Sequence, residues 1–331
     1  MSFWKTLGVA AAVTAMLAAS SAMAAPVKIA LVVKSLGNGF FDAADKGAEE
    51  AAKELGDVQV IYTGPTKATA EAQIDVINSL IAQKVNAIAI SANDPDALVP
   101  VLKKAMSRGI TVISFDSGVS KAGRELNLNA SGVDLIGDTL LKMASDTMPD
   151  GGEVAILSAA STATNQNAWI AAAKKLLPTK YPKLKLDTVV YGDDDSAKST
   201  DQAKGLLKSY PNLKTIIAPT TVGVVAAAQV VTDENLIGKV YVTGLALPSE
   251  FKKFIDNGAS KEVALWNPID LGYSAIYLAH DLAVKKEKAK PGAVLSMGRV
   301  GKLTLDANNE GAMANPFIFD KSNIDQYSKI Y

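Results

Sequence analysis

From residue 27 onwards, short apolar runs alternate with stretches in which apolar residues recur every three or four positions, the pattern of strands alternating with amphipathic helices. The periodicity predicts strands at 27–33, 58–62, 87–90 and 111–115, with helices at 40–55, 68–83 and 95–107 between them. Gly56 follows the first helix as a C-terminal stop, and Asp94-Pro95 offers a cap and a first-turn proline to the third. A second set begins after the turn signal Asp150-Gly151-Gly152. It predicts strands at 154–157, 188–191, 215–217, 240–243 and 263–265, separated by helical stretches of which the first spans 165–177. Such alternation marks parallel sheets covered by helices. The expected fold is therefore α/β, with two doubly wound parallel-sheet lobes of similar size.

Sheets of this kind bind ligands just beyond the carboxyl ends of their strands. The residues at those positions are Lys34, Asn38, Phe40 and Phe41, then Ser91, Asp116, Asn165, Gln166, Asp194, Pro219, Thr220, Thr221, Trp266 and Asn267. They are mostly amides, hydroxyls and carboxylates with aromatic rings beside them. A carboxylate accepts hydrogen bonds from vicinal hydroxyls, and a flat ring covers the C–H face of a sugar. The mixture suits a neutral polyhydroxylated ligand. Lys34 is the natural counter-charge of Asp116, which ends a very apolar strand. Trp169, inside a helical stretch, is read as packing.

Composition narrows the chemistry. The chain has 331 residues with 34 basic and 34 acidic side chains, a balance that argues against a nucleic-acid partner. No cysteine is present, which excludes thiol nucleophiles, disulfides and thiolate metal sites. A single histidine, His280, removes multi-histidine metal sites, and it is expected to be structural or at the surface. The first residues have the layout of a secretory leader. A cationic start at 1–5 precedes an apolar run at 7–19 and the small-x-small site Ala22-Met23-Ala24, so cleavage is expected after Ala24.

Three other constellations carry weaker signals. Gly37-x-Gly39 follows a strand and opens a helix, but Asp42 stands where a dinucleotide fingerprint has its third glycine, and Phe40-Phe41 crowds the turn. Asp193-Asp194-Asp195 invites a cation, yet helix capping explains it, with one of the three left to face a ligand. Asp116 and Asp194 could form a glycosidase pair, although little around Asp116 beyond its own strand is apolar enough to suit it to acid duty.

The runs KSLGNGFF at 34–41, SANDPDAL at 91–98, FDS at 115–117, TNQNAW at 164–169, IAP at 217–219 and LWN at 265–267 carry a resemblance over essentially the whole mature chain. The sequence resembles the periplasmic sugar-binding proteins of ABC importers, in the subgroup with the ribose- and autoinducer-2-binding proteins, and is most similar to the rhamnose-binding members. The resemblance implies a type I periplasmic binding protein fold with a three-segment hinge. It implies a first lobe of 25–130 plus 268–301 and a second of 131–267 plus 302–331. Asn38, Phe40, Phe41, Ser91 and Asp116 would approach the ligand from the first lobe, and Asn165, Asp194, Thr220 and Trp266 from the second. Lys34, Asp116, Gln166 and Pro219 agree with the autoinducer-2 pattern, while Asn165 and Thr221 depart from it. Ser117 and Ala246 replace an arginine and an aspartate of the ribose pattern. The expectation is a monomeric periplasmic protein, without cofactor, metal or catalytic activity, that delivers a small sugar to an inner-membrane permease. Rhamnose is preferred over autoinducer-2. The sensor domain of a transcription regulator shares this fold but starts with a DNA-binding segment rather than an export leader.

Overall fold

The computed structural model describes residues 25–331, and the predicted leader at 1–24 lies outside them. The first half runs β1 (Val27–Val32), α1 (Gly39–Leu55), β2 (Val58–Thr63), α2 (Ala70–Ala82), β3 (Ala87–Ile90), α3 (Val99–Ser107), β4 (Thr111–Phe115) and β5 (Asn127–Asn129). The second half runs α4 (Val133–Thr147), β6 (Gly152–Ser158), α5 (Thr164–Lys180), β7 (Leu184–Tyr191), α6 (Ser196–Ser209), β8 (Leu213–Ala218), α7 (Thr221–Asp233), β9 (Tyr241–Gly244), α8 (Pro248–Asp256) and β10 (Glu262–Leu265). The chain then forms α9 (Pro268–His280), β11 (Val294–Ser296), β12 (Lys302–Thr304), β13 (Glu310–Ala312), β14 (Phe317–Asp320) and α10 (Ile324–Tyr327).

The inner strands are apolar on both faces, which only helices on both sides of a parallel sheet can bury. The first sheet has the order β13-β5-β4-β3-β1-β2 and is parallel throughout. The second has the parallel order β7-β6-β8-β9, and a bridge between Leu245 and Ala264 brings β10 alongside β9. β14 pairs antiparallel with β10. The chain crosses between the lobes three times, from β5 into α4, from β10 into α9, and from β13 to β14.

Two expectations need correction. The segment 302–331 does not lie wholly with the second lobe. β12 pairs with β11, and β13 adds to the edge of the first sheet beside β5, so only β14 and α10 belong to the second. Strands of three residues are too short to show an alternation, and they leave no periodic signal. The third helix starts at Val99 rather than beside Asp94. The Asp94 carboxylate instead accepts from the amides of Asp96 and Ala97 at 2.9 and 2.8 Å, closing a separate turn ahead of the helix.

α9 leaves the hinge and packs on α1 beneath the first sheet. Two glycines set how closely. A β-carbon on Gly47 would overlap the carbonyl of Ile269, and one on Gly272 would overlap the carbonyl of Ala44. Among the described residues no helix is long and apolar enough to cross a membrane.

Candidate functional site

The carboxyl ends of both sheets face each other across the hinge. β4 is fully buried at Phe115, and the next residue, Asp116, takes a left-handed backbone with φ 56°. Aspartate tolerates that region better than most residues. The turn leaves the Asp116 carboxylate between the lobes, only 6% exposed. Buried carboxylates need partners. Ser91 Oγ, at the end of β3, donates to Asp116 Oδ2 at 2.7 Å, and Asn165 Nδ2 donates to Oδ1 at 2.9 Å from the opposite lobe. Lys34 Nζ, just past β1, lies 3.9 Å from Oδ2. Burial pushes the Asp116 carboxyl above its ordinary range, and the charge of Asp194 adds to this, while Lys34, Ser91 and Asn165 pull in the opposite direction.

The second lobe presents its groups from helix starts. Asn165 and Gln166 lie in the first turn of α5, and Gln166 Oε1 accepts from Ser158 Oγ at 2.6 Å and the Ala159 amide at 2.7 Å, tying that turn to β6. Asp194 has φ 51° and accepts from the hydroxyl of Thr220, the residue that precedes α7. Its neighbours are engaged elsewhere: Asp193 pairs with Lys198, and Asp195 caps α6 by accepting from the Lys198 amide at 2.7 Å. The capping reading of the triple aspartate therefore fits Asp195, and Asp194 is the member that faces the cleft. Asn38 caps α1 through the Phe40 amide at 3.0 Å, and its Oδ1 is 3.5 Å from the Thr221 hydroxyl of the other lobe.

Between these polar ends the wall is aromatic. Phe40 packs edge-to-face on Phe41 at 5.2 Å and on Trp266 at 6.1 Å, and Trp266 meets Trp169 at 5.6 Å. The series joins both lobes, because Phe40 and Phe41 open α1 while Trp266 follows β10.

These groups line one pocket between the lobes. Lys34, Asn38, Phe40, Phe41, Asp116, Asn165, Gln166, Asp194, Pro219, Thr220, Thr221 and Trp266 line it. Two predicted residues do not. Ser91 is fully buried behind Asp116 and reaches the pocket only through that carboxylate. Asn267 caps α9, accepting from the Ile269 amide at 3.0 Å and donating to Asp270 at 2.8 Å, so its amide is already engaged. Three lining residues lie outside the expected set: Trp169, which the sequence reads as packing, and Leu245 and Leu265. Trp169 carried a helical-packing signal that its position one turn after Asn165 could have overruled. The two leucines look like any core leucine in the sequence. His280 is buried at the end of α9 between Asp281 at 3.0 Å and Asp57 at 3.2 Å, and does not line the pocket.

A ligand cleft between two doubly wound sheets on a triple crossing is the architecture of type I periplasmic binding proteins. Residues 29–287 match the family described as periplasmic binding protein domain, and the chain belongs to that family. Among its relatives, the chain is 30% identical over 245 residues to the D-ribose/D-allose-binding protein of Pseudomonas aeruginosa, covering 70% of this chain and 74% of that protein. An ABC transporter solute binding protein from Clostridium phytofermentas, solved with bound L-rhamnose, is 40% identical with a TM-score of 0.88, covering 92% of this chain and 99% of that one. LsrB from Clostridium saccharobutylicum, in complex with AI-2, is 25% identical with a TM-score of 0.85 over 91% of this chain and 99% of that one.

Proposed function

We propose that this chain is the solute-binding component of a sugar ABC importer, a monomer exported to the periplasm with its leader cleaved, which captures rhamnose between its lobes and releases it unaltered to the permease. The observation that carries this reading is the pairing, in one pocket, of a buried carboxylate with an aromatic wall. Asp116, fixed by Ser91, Asn165 and Lys34, can accept two sugar hydroxyls. Phe40, Phe41, Trp169 and Trp266, with Leu245 and Leu265, offer an apolar surface for the ring and for the methyl group that distinguishes a 6-deoxyhexose. The similarity to the protein solved with L-rhamnose supports the same ligand. Ribose fits less well, since Ser117 and Ala246 are fully buried and place no charge where the ribose pattern has two. A second reading, autoinducer-2, draws support from the likeness to LsrB. Asn165 and Thr221 weigh against it, because they change the bonding groups on the second lobe.

Capture needs no chemistry. A ligand held by both lobes stabilises the closed form by the difference between its closed-state and open-state affinities, and the permease reads the closed surface. The carboxylates serve recognition rather than hydrolysis. Burial raises the Asp116 carboxyl, against the expectation from its sequence surroundings, but its two oxygens accept from Ser91 and Asn165 and Asp194 accepts from the Thr220 hydroxyl, an arrangement of acceptors that suits binding hydroxyls.

The test is a thermal-shift panel of deoxyhexoses, pentoses and autoinducer-2 on purified protein. A ligand at a hundred times its dissociation constant adds about 2.7 kcal/mol of stability. A shift with L-rhamnose larger than with any pentose or autoinducer-2 is the expected result. Absence of a shift with every monosaccharide would overturn the assignment.

A further inference from the structure

The turn that opens α5 makes three contacts with the opposite lobe, and only one of them belongs to the ligand pocket. Asn165 reaches Asp116, as described. Just before it in the chain, Thr162 Oγ1 donates to the carbonyl of Asn93 at 2.7 Å, and Thr164 Oγ1 donates to the carbonyl of Gly118 at 2.9 Å. Neither threonine lines the pocket. Thr164 is the first residue of α5, and no side chain caps that helix, so its hydroxyl serves the other lobe instead of its own backbone.

The Asn93 acceptor is held in place. The Asn93 amide N–H donates to Gln73 Oε1 at 2.8 Å, and its side chain donates to the Lys34 carbonyl at 2.9 Å. Gln73 is fully buried and donates in turn to the carbonyls of Val33 and Ser91 at 3.0 and 2.8 Å. The donors are held as well, since the Asn167 side chain donates to the Ser161 carbonyl at 2.7 Å across the same turn. At Thr162 and Asn93 a supported donor therefore meets a supported acceptor when the lobes come together.

We infer that Thr162 and Thr164 are positioning residues that set how readily the lobes close, and through closure the affinity for every ligand alike, while the pocket residues set which ligand is chosen. The inference rests on the capture reading above. In an open molecule water satisfies the Asn93 and Gly118 carbonyls, and on closing a threonine hydroxyl takes its place. Valine has nearly the same shape but strands the carbonyl, so it penalises the closed form alone. Apparent affinity scales with the fraction of molecules able to close.

The experiment compares wild type, the Thr162→Val/Thr164→Val pair and the Thr162→Ser/Thr164→Ser pair. Calorimetric titration with L-rhamnose and D-arabinose is combined with the small-angle scattering radius of the ligand-free protein. The valine pair is expected to bind each sugar that the wild type binds about tenfold more weakly. The ratio between the two sugars should stay unchanged, the ligand-free radius should be no smaller than that of the wild type, and the serine pair should return the affinity to within twofold. An unaltered affinity in the valine pair, a changed sugar ratio, or a loss that serine does not restore would overturn the inference. If the wild type binds neither sugar, the ligand assignment fails, and this inference is decided with whichever compound of the thermal-shift panel stabilises the wild type: an undiminished affinity for it in the valine pair refutes the inference.

Discussion

Asp116 shows how much a single position can reveal before any fold is known. A carboxylate at the end of a fully apolar strand must find partners, and here it finds a lysine, a serine and an amide. Replacing it with asparagine keeps the shape but removes the charge and half of the acceptor capacity. Asp116→Asn is expected to weaken sugar binding by about 2 kcal/mol or more, some thirtyfold, measured by titration calorimetry on protein whose circular dichroism is unchanged. A second carboxyl makes a prediction about pH. Asp45, half-buried on α1, has one buried oxygen without a partner, and burial, then Glu49, then Asp42 raise its pKa from 3.8 to about 6. Between about 4 and 6 the folded chain therefore holds a proton that the unfolded chain has released, and stability falls as pH rises through that window. Asp45→Asn should melt higher than wild type at pH 7.5, and the gain should vanish near pH 4. An equal gain at both values would contradict the assignment. Most of the pocket was legible for the same reason as Asp116, because polar residues at strand ends stand out against apolar runs. Leu245 and Leu265 were not, since an apolar residue that lines a pocket carries no mark distinguishing it from one that faces the core.

Among the elements, legibility followed length. The long amphipathic helices and four- to eight-residue parallel strands announce themselves by period, whereas β5 and β11 to β13, each of three residues, are specified by what they pair with. α3 starts later than Asp94-Pro95 implies, because the chemistry of a cap also closes a turn. The contact between α1 and α9 depends on backbone approaching backbone at Gly47 and Gly272. Gly47→Ala should push the helices apart and cost about 2–3 kcal/mol, read as a lowered denaturation midpoint. Gly205, which has open space around its α-carbon in the middle of α6, is the control: alanine there is expected to be neutral or to stabilise slightly. Asn267→Ala tests the capping role assigned to that residue. Loss of about 1 kcal/mol of stability with sugar affinity retained would agree with it, and a matching loss of affinity would return Asn267 to the ligand.

For the molecule as a whole, a single closure step accounts for the proposed activity. Saturating sugar should shrink the radius of gyration, and incubation with aryl rhamnosides should release no aglycone. Turnover would reject pure binding. The end of the chain ties the two lobes together in another way. β13 finishes the edge of the first sheet, and a few residues later β14 supplies the partner of β10. Neither half is thus complete until the last thirty or so residues have been made, although most of each is encoded far upstream. A chain cut short near residue 300 would leave two unfinished sheets rather than one intact lobe and one damaged one. Trimming at this terminus should consequently lower the cohesion of both halves in a single transition, a coupling that dividing the molecule at its cleft would never suggest.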